Sequence, residues 1–346
     1  MNRFELQKRI LENGHFFKLI CGAGNEDAQE VYKLTLVYAL AGALGVDTSA
    51  NPQVVRRAKD AIKEARKLSR DFGFRRFVDP YITVSVGMPG DPHVRKAHIV
   101  QTNCTKCNAC IPVCPTDAIP KELVIIRERC IGCGACYVAC QDDAIGYAHN
   151  EIDMGKVLRE CIHEGAENIE LHANVLDHEP SLAEWRLCHR LLPEGFLSLC
   201  TDRGYLSNHE LLKRIKMMLE ISKGRMIVQA DGIPMSGGKD DYNTTLQAVA
   251  TADIVAKSQL PVYILVSGGT NSKTMELAGQ CGVRCAGASL GTFARHKIYL
   301  FINNPAFPNK DLLALAVKTA RTLVSTCYVP DNQYEDSIAQ EASVNA

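Results

Sequence analysis

Eight cysteines lie between Cys104 and Cys140, in two runs of one spacing. The first reads C-T-K-C-N-A-C-I-P-V-C-P, Cys104 to Pro115, and the second C-I-G-C-G-A-C-Y-V-A-C, Cys130 to Cys140. Both are C-x2-C-x2-C-x3-C, the ligand run of two-cluster ferredoxins. A cubane needs four thiolates converging on one small body. Three cysteines spaced by two residues wrap a cluster, and the last cysteine of each run ligates the other cluster. Two [4Fe–4S] clusters are therefore expected. Cys104, Cys107, Cys110 and Cys140 would hold the first, and Cys114, Cys130, Cys133 and Cys136 the second. Zinc sites pair two C-x2-C units over a longer gap, and a disulfide framework suits a small secreted domain. A [3Fe–4S] centre would lack one of these cysteines, and none is missing.

The repeat runs past the cysteines. Thr116-Asp117-Ala118-Ile119 aligns with Asp142-Asp143-Ala144-Ile145, and Ile119 and Ile145 are expected to cover the clusters. Pro115 turns the chain after Cys114, where the second run has Gln141. Gly132 and Gly134 let the backbone approach the second cluster closely.

Outside this segment, apolar runs alternate with amphipathic helical patterns. Strands are expected at His15–Cys21, near Gly45–Thr48, and at Tyr81–Val86, Asn168–His172, Phe196–Cys200, Met226–Ala230, Val262–Val266 and Val283–Ala286. Helices are expected at 27–44, 51–69, 153–164, 181–192, 208–223, 244–258 and 272–280, the second capped by Asn51 with Pro52 in its first turn. Eight strand–helix units predict an α/β fold, a (β/α)8 barrel with an inserted two-cluster ferredoxin-like α+β module. The alternative is an open doubly wound sheet with the same insert. Gly22-Ala23-Gly24 is too short for the dinucleotide fingerprint G-x-G-x-x-G. The expected organisation is 1–98 for the first part of the barrel, 99–148 for the insert, 149–329 for the second part and 330–346 for a disordered tail. The insert follows strand three, so it would sit at the C-terminal face, where barrels form active sites.

Two glycine-rich stretches mark a second candidate site. Ser267-Gly268-Gly269-Thr270 ends the seventh expected strand, and Gly287 to Arg295 follows the eighth. Loops at these two places bind phosphate in many barrels. Gly268, Gly269, Gly287 and Gly291 are thus candidate phosphate contacts for a flavin or phosphorylated ligand. Asn25, Asp47, His172, Asp202, Arg203 and Asp231 end other strands and face the same mouth. Ser236-Gly237-Gly238-Lys239 lacks the rest of a phosphate loop and is expected to be a mobile surface loop. The other cysteines, Cys21, Cys161, Cys188, Cys200, Cys281, Cys285 and Cys327, have no ligand spacing. Cys21, Cys200 and Cys285 lie in apolar stretches and are expected to pack as small hydrophobes.

The 346 residues carry 39 basic and 39 acidic side chains, which argues against a nucleic-acid surface as the main role. No run of 18 apolar residues predicts a transmembrane helix. Met1-Asn2-Arg3-Phe4-Glu5 shows no apolar signal region, and fifteen cysteines suit a reducing compartment, so a cytoplasmic location is expected.

N-G-H-F-F-K-L-I-C-G-A-G-N-E-D, from Asn13, and S-G-G-T-N-S-K-T, from Ser267, resemble the LdpA family, the light-dependent period proteins of cyanobacteria. The resemblance extends to about Pro330. It implies an iron–sulfur redox sensor on the input path of the circadian clock, with KaiA and the histidine kinases CikA and SasA as partners. Electron-donor proteins are further candidate partners. The competing reading is an iron–sulfur oxidoreductase acting on a flavin or phosphorylated ligand at the barrel mouth, and a sensor is favoured over an enzyme. Plain electron carriage leaves the large strand–helix frame unexplained.

Overall fold

The computed structural model describes residues 2–89, 91, 94–149, 152–233 and 238–327. The expected tail, 330–346, and Ser236-Gly237 lie outside them; Gly238 and Lys239 are exposed. In chain order the strands are β1 (Phe16–Ile20), β2 (Gly45–Ser49), β3 (Tyr81–Gly87), β4 (Arg95–Ile99), β5 (Ile145–His149), β6 (Asn168–His172), β7 (Phe196–Thr201), β8 (Met226–Asp231), β9 (Tyr263–Ser267) and β10 (Gly287–Leu290). The helices are α1 (Arg3–Glu12), α2 (Ala28–Ala41), α3 (Pro52–Leu68), α4 (Ala135–Ala139), α5 (Met154–Glu164), α6 (His178–Leu191), α7 (Asn208–Ser222), α8 (Tyr242–Lys257), α9 (Thr274–Gln280), α10 (Thr292–Ile302) and α11 (Lys310–Val324).

Eight parallel strands close in the order β1-β10-β9-β8-β7-β6-β3-β2, which excludes the open sheet. β4 and β5 stand apart as an antiparallel pair, Arg95 opposite His149 and Ile99 opposite Ile145. Local signals set the helix ends. Asn51 accepts from the Gln53 N–H at 2.9 Å and Pro52 opens α3. Asp27 caps α2, and Gly42, at φ 103°, ends it in the left-handed region. α3 buries Val54, Val55, Ala58, Ala61, Ile62 and Ala65, one helical face. Each of its larger apolar side chains contributes about 2 kcal/mol by leaving water.

The eighth strand lies one step later than its expected position. Residues 283–286 have no strand structure, and Gly287–Leu290 pairs with β1, Phe16 opposite Gly287. Gly287 is therefore a strand residue at the barrel seam, not part of a phosphate loop. A Cβ there would fall 2.0 Å from the Phe16 carbonyl oxygen, so the closing strands meet only because the residue is glycine.

α1, absent from the sequence reading, closes the opposite end. Its Ile10 and Leu11 join Phe16, Leu44, Tyr81, Phe196, Ile227 and Leu265 in a separate core, with Phe4 stacked on Phe196 at 4.7 Å. One end of the barrel is thus plugged by apolar side chains, which leaves the C-terminal end as the mouth.

Candidate iron–sulfur centre over the barrel mouth

The insert leaves the barrel after β3 and returns through β5 to α5. Its cysteines surround two cavities. Cys104, Cys107, Cys110 and Cys140 line one, together with Ile99, Leu123 and Ile145. Cys114, Cys130, Cys133 and Cys136 line the other, with Ile119, Ile131 and Tyr147. Each wall draws thiols from both runs.

Backbone geometry turns amides onto sulfur. The Ala118 N–H donates to Cys114 Sγ at 3.2 Å, and the Ala144 N–H to Cys140 Sγ at 3.4 Å. These are the alanines of the sequence repeat, four residues after the last cysteine of each run. The Ala97 N–H donates to Cys130 Sγ at 3.3 Å. Positive φ repeats as well: Lys106 (59°) matches Gly132 (68°), Asn108 (63°) matches Gly134 (89°), and Asp117 (49°) matches Asp143 (48°). The loops therefore fold alike although only the second has glycines.

This donor set fits clusters. Burial, and then the neighbouring Cys133, Cys130 and Cys114, push Cys136 up to about 11. Burial also raises Cys110, whose sulfur neighbours are Cys104, Cys107 and Cys140. Crowded thiols resist ionising singly; a cation among them removes that resistance. Apolar walls and N–H donors to sulfur are the protein's means of setting a cluster potential.

The two cavities differ in setting. Cys107 is exposed, and Cys104 and Cys140 are partly so. The second cavity lies on the barrel side. Buried Lys96 on β4 donates to Cys130 O at 3.0 Å and Arg127 O at 2.9 Å. It also donates to Gly24 O and pairs with Glu26 at 3.2 Å, both in the loop after β1. Arg129 meets Asp27 at 3.2 Å, and the Tyr299 hydroxyl of α10 donates to Asp117. Ile131 lies against Gly22, 3.3 Å from where a Cβ would stand.

Below Ile131 and Cys133 the barrel mouth opens, walled by Asp47, Glu170, His172, Cys200, Gln229, Asp231, Gly268, Gly291 and Arg295 among others. Cys133 thus lines both the second cysteine cavity and the mouth. Strand alternation points Glu170 and His172 the same way, and register puts Cys200 opposite His172. Lys18, buried in β1, pairs with Glu170 at 2.6 Å and Asp47 at 3.9 Å. His172 Nε2 lies 3.3 Å from Glu170 Oε1. Burial opposes the charge of Glu170, but Lys18 and the His172 hydrogen bond win and hold it below the usual range. Burial raises Asp47, and Glu170 adds to the rise against the pull of Lys18. Burial would lower His172, but Glu170 lifts it to about 9.

The mouth gathers only some of the rim residues read from the sequence. Asp47, His172 and Asp231 are in it. Asn25 is buried nearby but holds Glu30, at 2.7 Å, and Cys21 O. Asp202 accepts from the Gly204 N–H at 2.6 Å, and Arg203 is exposed beside Asn208. Cys285 is half-buried outside any strand. Cys200 is not simply a core hydrophobe, because its Sγ donates to Asp231 Oδ2 at 2.6 Å. The expectation missed Lys18, Glu170 and Gln229; the available signal was a polar residue inside each apolar strand. Gly268 and Gly291 line the mouth. Gly268, at φ 60°, lies against Asp231 and Gly232, where a Cβ would meet Gly232 N at 2.9 Å. A phosphate here would meet side chains of its own charge sign. Asp47, Glu170 and Asp231 line the wall, and Arg295 is engaged by Glu30 at 3.1 Å and Cys21 O at 2.7 Å.

Fold and site together define a (β/α)8 barrel bearing a ferredoxin-type iron–sulfur module. The family model of the 4Fe–4S binding domain matches residues 97–119 and 123–146. That of the light dependent period A C-terminal domain matches 162–326. Light dependent period A of Synechococcus elongatus is 32% identical over 330 residues, 91% of each chain. The chain belongs to the light dependent period A family. Among solved structures it is similar to the YdjI aldolase of Escherichia coli K12, at TM-score 0.49 and 6% identity over 95% of this chain and 97% of that one. A thiamine phosphate pyrophosphorylase from Pyrococcus furiosus gives TM-score 0.41 and 10% identity over 92% and 100%. Such values say nothing about chemistry. Among the described residues, no helix is long and apolar enough to cross a membrane.

Proposed function

We propose that this protein is a redox sensor that holds two [4Fe–4S] clusters and conveys cellular redox state, which tracks light, to the circadian clock input pathway. The observation that carries the reading is the pair of four-cysteine cavities, one near solvent and one against the barrel. The ligands are Cys104, Cys107, Cys110 and Cys140 for the outer cluster and Cys114, Cys130, Cys133 and Cys136 for the inner. When bound, the clusters supply one-electron chemistry. Lys96 couples the Cys130 carbonyl to the loop after β1, so a change at the cysteines reaches Gly24 and Glu26. The relative's name, light dependent period A, supports the clock assignment. KaiA, CikA and SasA are the partners the family resemblance implies, and the cytoplasm is the compartment the cysteine content suggests.

Anaerobic purification with iron and sulfide analysis tests the clusters. Hydrogen exchange at Gly22–Glu26 in oxidised and reduced protein tests the sensor. Protein without iron and without visible cluster absorbance ends the reading, as does exchange unaltered by redox state together with unaltered partner capture.

One observation favours a second reading. Cys133 belongs to both the inner cavity and the mouth, so an electron on that side stands next to whatever the mouth holds. An oxidoreductase would use this wall. Turnover-dependent oxidation of the reduced protein by a mouth ligand would support it.

A further inference from the structure

Glu170, His172 and Cys200 bring an oxygen, a nitrogen and a sulfur together in the mouth, each within 4.8 Å of the others and all three buried. They stand on adjacent paired strands, Cys200 opposite His172 in register, so the barrel itself fixes their spacing. We propose that these three side chains bind a single divalent transition-metal ion, zinc or ferrous iron, separate from the iron–sulfur module, with an open coordination position facing the mouth.

Three features support this site. The donors suit the metal: imidazole, thiolate and carboxylate are the ligands of zinc and its neighbours, whereas magnesium and calcium take oxygen. A tetrahedral ion with bonds of about 2.0–2.3 Å holds its donors about 3.5 Å apart, so small side-chain rotations suffice. His172 Nε2 and Glu170 Oε1 already stand 3.3 Å apart.

The charge balance also fits. Asp47, Glu170 and Asp231 are buried in one wall, while Lys18 sits between Glu170 and Asp47. A divalent ion there would replace the positive charge of the His172 imidazolium beside Glu170, so the buried carboxylates keep their compensation. A route for the displaced proton exists too. The Cys200 thiol donates to Asp231 at 2.6 Å. On binding, the sulfur–metal bond forms as the S–H bond breaks and that proton moves to the Asp231 carboxylate; the Nε2 proton that His172 shares with Glu170 leaves to solvent through the mouth as the nitrogen–metal bond forms.

The three ligands and Cys133 all line the mouth. Three protein ligands and one free position make the pattern of a catalytic zinc site, not a structural one.

The test uses anaerobic protein with its clusters intact, equilibrated with zinc and passed over a desalting column. One zinc per chain should remain. Zinc-edge X-ray absorption should show one sulfur at about 2.3 Å, with nitrogen and oxygen at about 2.0–2.2 Å. His172→Gln and Cys200→Ser should each weaken zinc retention about tenfold or more, with cluster iron unchanged. Zinc that washes out of the wild-type protein, or that shows four sulfurs, overturns the proposal without touching the cluster reading. The same holds if both variants retain zinc as well as the parent does. Conversely, protein lacking cluster iron but holding zinc through one sulfur would sink the cluster reading and leave this site standing.

Discussion

Lys96 Nζ lies 3.0 Å from the carbonyl oxygen of Cys130, and that ammonium also reaches Gly24 and Glu26 across the boundary between insert and barrel. A buried cation with three carbonyl acceptors is costly to delete, because the acceptors of buried Gly24 and Cys130 lose their donor; Glu26, 31% exposed, adds less. Lys96→Met is expected to destabilise the protein by about 3 kcal/mol. It should also speed the loss of visible cluster absorbance in air. Thermal unfolding and bleaching rates check this; a variant as stable and as slow to bleach as the parent would show that the module docks by other contacts.

Cys114 sits in the first run but lines the cavity of the second. Cys114→Ser should remove the inner cluster's signal and spare the outer one. Paramagnetic resonance of the reduced protein distinguishes the two. Loss of the outer signal alone would mean that each run serves its own cluster.

Lys106 holds a left-handed conformation, φ 59°, where the second run has Gly132 at 68°. A side chain there costs about 1 kcal/mol relative to glycine. Lys106→Gly should stabilise the cluster-loaded protein by about that much, and Gly132→Ala should cost about 1–2 kcal/mol. Denaturant titration under argon gives both values, and equal midpoints for all three proteins would contradict the strain argument.

Gly287 and Gly279 should respond in opposite ways. A Cβ on Gly287 meets the Phe16 carbonyl at 2.0 Å, so Gly287→Ala should cost about 3 kcal/mol or more. Nothing lies within 4 Å of a Cβ on Gly279, inside α9, so Gly279→Ala should add up to about 1 kcal/mol. Unfolding temperatures of the two variants should move apart from the parent in opposite directions.

Asp47 gives a pH dependence before metal is added. Burial raises its carboxyl to about 7 from an ordinary 3.8. Between those values the folded form keeps a proton that the unfolded form has lost, so stability falls as pH rises toward 7 and stays low above it. Asp47→Asn should flatten that part of the stability profile. An unchanged slope between pH 4 and 7 would assign the dependence to other groups.

Much of the fold was legible because the repeat of apolar strand and amphipathic helix is a property of residue order. The cysteine runs were legible for the same reason. The eighth strand was misplaced because Gly287-Ala288-Ser289-Leu290 lacks the β-branched residues that mark strands, while Val283 drew the boundary forward. Its identity depends on Phe16, far away in sequence. α1, α10 and α11 were not anticipated. The polar heart of the barrel was missed for a different reason. Lys18 and Glu170 are each one polar residue in an apolar run, and only barrel closure brings them to 2.6 Å. Cys200 was read as a hydrophobe because its partner, Asp231, belongs to the next strand.

β3 and β6 are neighbours in the barrel, yet the whole module lies between them in the chain. Closing the barrel means bringing together the ends of that long segment. An ordered module holds those ends close; a disordered one leaves the entropy of a large loop to be overcome. On the two-cluster reading proposed above, metal bound by the cysteines would act on strand pairing at a distance. Iron supply and barrel integrity would then be linked quantities, and the amount of folded protein would itself report how well the cell can build clusters.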